Sequence, residues 1–162
     1  MTKMIEIARQ DETVVILCGQ TIVVYYGRTP AAAASQTVID AITRAVARLS
    51  RVVVVIVIEN GVRAPDPAAR SVIQRAMQRG EAKICATGYI VLGDGFANAA
   101  ARATLSGMLL LAKPKFPTKV FATSNDAVSW LKNYDVSGPD ATQLSRFFSQ
   151  ERLTAGSAAQ VH

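Results

Sequence analysis

Few side chains in this sequence are placed to do chemistry, and the missing types are as informative as those present. The single histidine, His162, is the last residue, so the usual general base of a catalytic triad and the usual zinc ligand lack a credible source. Cys18 and Cys85 each lie in an apolar run, VVILC and KICATGYIVL. Neither has metal-ligand spacing, and a nucleophile at Cys85 would need an activating base that the sequence does not provide. Both read as small buried hydrophobes of a reducing compartment. Glu59 and Asp66 could pair as carboxylates, but a cation site wants more ligands than Asn60 adds locally. Gly93-Asp94-Gly95 stands between a strand-like run and a helical pattern, where a helix start could receive a phosphate. With Arg102 or Lys113 it would make a small-molecule or nucleotide (anionic ligand) site. The dinucleotide fingerprint is incomplete, because Asn98 occupies the third glycine position and no acid follows the next strand to hold a ribose. A non-catalytic protein without metal or cofactor is the expectation.

These groups must be positioned by a sheet. Val52 to Ile58 reads VVVVIVI, an unbroken β-branched run bounded by Arg51 and by Glu59-Asn60-Gly61. Such a run is a strand covered on both faces by crossover helices. Ligands gather beyond the carboxyl ends of strands of this kind, which singles out the loop from Glu59 to Asp66. Upstream, Met4 to Arg9 alternates, Thr13 to Cys18 is apolar, and Gly19-Gln20 turns the chain into Thr21 to Tyr26. Tyr25 and Tyr26 should point to opposite faces, the outward one being a partly exposed structural tyrosine or, with Arg28, a candidate surface anchor.

The period then changes. Val38, Ile39, Ile42, Val46 and Leu49 recur at helical spacing opposite Asp40, Arg44 and Arg48, and Pro30 suits the first turn. Pro65-Asp66-Pro67 opens a second helix with Val72, Ile73, Ala76 and Met77 inward and Gly80 as its stop. Ile84 to Leu92 is a strand, Phe96 to Leu111 a third helix and Lys119 to Thr123 a short last strand. Ser124 or Asn125 caps a helix bearing Ala127, Val128, Trp130 and Leu131. Pro139 to Leu153 is a terminal helix with Leu144, Phe147 and Phe148 inward, followed by a small, polar, frayed tail. The third helix is unusual. Asn98, Arg102 and Ser106 draw a narrow polar line on an otherwise apolar cylinder, and Ala99, Ala103 and Gly107 form a small-residue strip. One account buries it against the sheet; the other has a second apolar face meet another chain.

The whole predicts an α/β fold: a mixed sheet of five to six strands, with opening antiparallel strands followed by α-β-α-β-α-β-α. Residues 1–153 would form one domain and 154–162 a flexible tail. Lys and Arg number 18 against 12 Asp and Glu, a net charge of +6. The charges are interspersed, and no basic run is interleaved with aromatics, which argues against nucleic acid. Phe96 to Ala112 is too short and too interrupted to insert in a membrane. Met1 to Ile7 lacks the apolar core of a signal peptide, so a cytoplasmic location is expected.

The opening strands to Tyr26, the Val38–Leu49 helix, the Val52–Ile58 strand and the later VFATSNDAVSWL segment (120–131) resemble the STAS-like family of sulfate-transporter and anti-sigma-factor-antagonist domains. The similarity spans about residues 4 to 133 and is topological. It implies a regulatory, signalling protein-interaction domain. Phosphorylatable members of that family carry a serine or threonine motif after the central strand. Here the loop is Glu59-Asn60-Gly61-Val62-Arg63-Ala64, without an acceptor hydroxyl. The expectation is therefore a module that binds a protein partner through Glu59, Asn60, Arg63, Asp66 and Arg70, and that forms a homodimer through its apolar helix.

Overall fold

Alternating residues and two tight turns fold the start of the chain into an antiparallel meander. Strands β1 (Met4–Gln10), β2 (Thr13–Cys18) and β3 (Thr21–Tyr26) pair in sequence, with Gln10 opposite Thr13 and Cys18 opposite Thr21. Two-residue connections of this kind need positive φ, which Asp11 (52°) and Gly19 (61°) supply. A bulge between Glu6 and Ala8 interrupts the β1 register. The structure is a computed structural model that describes residues 1–64, 66–80 and 82–160. Pro65, at the expected opening of the second helix, and His162 lie outside the described residues, as do the side chains of Ile73, Ala76 and Met77 in the expected inward stripe.

From β4 onward every strand is parallel to its predecessor. Helix α1 (Ala32–Arg48) leads to β4 (Val52–Ile58), α2 (Pro67–Gly80) to β5 (Ile84–Val91), and α3 (Phe96–Ala112) to β6 (Thr118–Phe121). The strand order is β1-β2-β3-β4-β5-β6. Because successive crossovers share one hand, α1, α2 and α3 fall on a common side of the sheet. Helices α4 (Ser124–Leu131) and α5 (Ala141–Ala159), joined through a 3-10 turn at Lys132–Tyr134, cover the other side. The fold is thus the α/β mixed sheet that the sequence pattern predicts.

Strand β4 explains its own composition. Val53, Val55 and Val57 pack toward Leu131, Leu144 and Phe148, while Val52 and Val54 pack toward Val38, Ala41 and Val46 of α1. A strand buried on both faces has no polar position to spare. The same double cover corrects the expected outward tyrosine: Tyr25 and Tyr26 do face opposite ways, but both are buried, 3% and 7% exposed. Tyr25 lies between Phe147, met edge-on at 5.7 Å, and Phe148, stacked at 5.9 Å.

Three boundaries differ from expectation. Helix α1 starts after Pro30, with Ala31 as its cap. Helix α4 is capped by Thr123, whose extended backbone lets its hydroxyl accept from the Asp126 N–H, while Ser124 is buried. Helix α5 continues past Leu153 to Ala159. Alanine there costs nothing in helix propensity, and the hydroxyls of Thr154 and Ser157 bond back to the carbonyls of Gln150 and Leu153. At its other end α5 opens on a reciprocal capping box between Asp140 and Gln143.

Candidate functional site

The carboxyl ends of β3, β4 and β5 deliver three loops to one edge of the sheet, and the first side chain beyond β4 is Glu59. Its carboxylate is engaged by the protein's own groups. Its Oε2 accepts from the Tyr25 hydroxyl at 2.8 Å and from Arg152 Nε at 2.8 Å, and its Oε1 accepts from Arg152 Nη2 and the Asn60 N–H at 3.0 Å each. Burial on its own would raise the pKa of this carboxyl. The bonds from Arg152, the Asn60 N–H and Tyr25 outweigh that effect and hold it below the ordinary carboxylate value. The Tyr25 phenol is pushed up, first by burial and then by the neighbouring Glu59 charge. Glu59 is thus the anchor by which α5 is fastened to the end of β4.

The other residues of the expected contact loop stay outward. Asn60, Arg63, Asp66 and Arg70 are exposed. Asp66 does not approach Glu59 as a paired carboxylate; its Oδ1 accepts from the Ala69 N–H at 2.8 Å at the start of α2. The Arg63 N–H donates to Thr29 Oγ1 at 2.9 Å, which stitches the loop after β4 to the loop after β3. Between these loops lies an open depression of about 360 Å³ lined by Gly27, Arg28, Thr29, Asn60, Gly61 and Val62.

The glycine turn after β5 does not form the anion site first suggested by its spacing. Gly93 (φ 105°) and Gly95 (φ 89°) turn the chain into α3, but Arg102 is committed to its own backbone. Its Nη1 donates to the carbonyls of Val91 and Gly93, both at 3.1 Å. Lys113 is the C-cap at the far end of the 17-residue helix, about 25 Å from its start. Arg102 therefore reaches the Gly93–Gly95 turn with Nη1 already bonded to those carbonyls, and Lys113 does not reach it. Both cysteines are free; Cys18 is buried and Cys85 accepts from Arg51 Nε at 3.3 Å.

Helix α3 itself is inside out. Its polar line faces the protein: Asn98 Nδ2 donates to Asn60 Oδ1 at 3.0 Å and to the Asp94 carbonyl at 2.8 Å, and Arg102 fills the open carbonyls of the preceding turn. No residue of α3 is buried, which overturns the account that sinks it against the sheet. Phe96 is 88% exposed, Leu110 77%, Leu111 85% and Met108 51%. Ala99 and Ala103 are exposed beside them, and a side chain added at Gly107 would meet nothing. The cause is local: the carbonyls of the preceding turn take up Arg102, and Phe96, Met108, Leu110 and Leu111 are left outward, while Leu105 and Leu109 are half-buried.

Comparison of the chain with protein-family models, curated proteins and solved structures finds no match. Among the described residues no helix is long and apolar enough to cross a membrane. Arg152 was not legible as part of the Glu59 cluster, since the two lie far apart in the chain and no local pattern joins them.

Proposed function

We propose that this chain is a non-catalytic, STAS-like protein-interaction module that associates with a second copy of itself through the outward face of α3. The observation that carries the reading is the outward face of the helix: Asn98 and Arg102 are spent on the protein's own loop, and Phe96, Met108, Leu110 and Leu111 are left in water. Contiguous exposed apolar surface of this kind marks an interaction face. A second copy is the occupant that fits. The sole charged side chain within α3, Arg102, is turned inward, so the exposed face is uncharged, whereas the molecule as a whole carries +6. Two like-charged copies meet with least repulsion on an uncharged face. The strip of Ala99, Ala103 and Gly107 lets two helix axes approach closely. The order of strands and helices supports the STAS-like reading. The loop after β4 has no acceptor hydroxyl from Glu59 to Ala64, so phosphorylation there has no part in it.

Size exclusion with light scattering tests this. The expected result is a dimer for the natural chain and a monomer for Leu110→Glu/Leu111→Glu, with an unchanged circular dichroism spectrum and a thermal midpoint that no longer depends on protein concentration. A natural chain that is monomeric throughout the micromolar range would overturn the reading. So would a double variant that still dimerises, or a monomer that floats with lipid vesicles through the same face.

A further inference from the structure

We infer that the depression between the β3 and β4 loops is a binding site for the phosphoryl group of a small phosphorylated molecule. Its place is the one that open parallel sheets use, beyond the carboxyl ends of two adjacent strands, and its volume of about 360 Å³ lies in the range of small-ligand sites. The lining supplies donors without acceptors to consume them. The Arg28 guanidinium and that of neighbouring Arg63 are exposed, and neither has a carboxylate partner among the described residues. Of the acids near these loops, Glu59 is held by Arg152 and Tyr25 and Asp66 accepts from the Ala69 N–H, while Glu12 lies behind Gly27. The Arg28, Thr29 and Gly61 N–H groups likewise find no backbone or side-chain acceptor among the described residues. Gly61 has φ 83° with nothing within 4 Å of where a Cβ would stand, so a ligand oxygen can reach the backbone there. Guanidinium groups beside free N–H groups are the donor set that recognises a tetrahedral oxyanion.

The lining includes none of the exposed apolar residues of α3, so the test reads a different set of side chains from the test of self-association. Calorimetric titration and amide chemical-shift mapping would use pyrophosphate and ADP as probes. The expected result is saturable binding of at least one probe, with the Arg28, Thr29 and Gly61 amides shifting, and at least a tenfold loss of affinity in Arg28→Gln/Arg63→Gln while the fold is unchanged. Binding of both probes assigns the site to the phosphate groups alone; binding of ADP only assigns it to a nucleotide. No saturable binding at millimolar concentration, shifts elsewhere on the surface, or full affinity in the double variant would overturn the assignment.

Discussion

Glu59 carries structural weight that its position at the tip of the central strand does not announce. Its carboxylate joins β4, Tyr25 of β3 and Arg152 of α5 in one cluster. Its folded pKa is lowered from an ordinary 4.5, so the sign of the linkage is fixed. The stabilisation is fully present above the unfolded value and is lost as pH falls through the lower, folded one. Glu59→Gln should cost roughly 1–2 kcal/mol near neutral pH and flatten the loss of stability below pH 4.5. Urea unfolding at a series of pH values measures both effects. Arg102 makes the parallel case for α3: Arg102→Met leaves the Val91 and Gly93 carbonyls without their donor. Hydrogen exchange should quicken along α3 while the amides of β4 keep their protection. The residue types at these positions were legible in the sequence, but their direction was not. An acid after a strand and an arginine in an apolar helix both look like surface groups until the distant acceptor or donor is in place.

At the level of elements, strands were easier to read than helix faces. Alternation and β-branched runs set β1 to β5 nearly to the residue, because a strand's environment follows from its own side chains. Helical periodicity located α3 and its polar line but could not say which face turned inward, since that depends on carbonyls freed by the preceding glycine turn. The two helices that contrast most in burial give a direct comparison. Leu144 of α5 is fully buried, so Leu144→Ala should lower stability by about 2–5 kcal/mol. Leu110→Glu in α3, at a side chain 77% exposed, should move it by less than about 0.5 kcal/mol at protein concentrations too low for association, and by more where the natural chain is dimeric. Denaturant midpoints of the two variants, read against the natural chain, check the difference.

For the molecule as a whole, α5 closes one face of the sheet. Leu144 and Phe148 complete the core around Tyr25 and Val57, and Glu151 is held by Arg9 of β1 through two bonds of 2.9 Å. A chain ending at Pro139 should therefore lose its cooperative unfolding transition, which circular dichroism on heating would reveal. Little of this long-range fastening was legible, because it joins the last element to the first strand and to the tip of the fourth. The two margins of the sheet, β1 and β6, carry a further consequence. β1 has a register break at Glu6/Ala8 and the charged pair of Glu6 and Arg9 along it; β6 is only four residues long. Broken register, edge charge and short length are the features that stop a neighbouring chain from adding a strand. Growth of the sheet from copy to copy is therefore disfavoured at both ends, and fibril formation through added strands is resisted by the native fold.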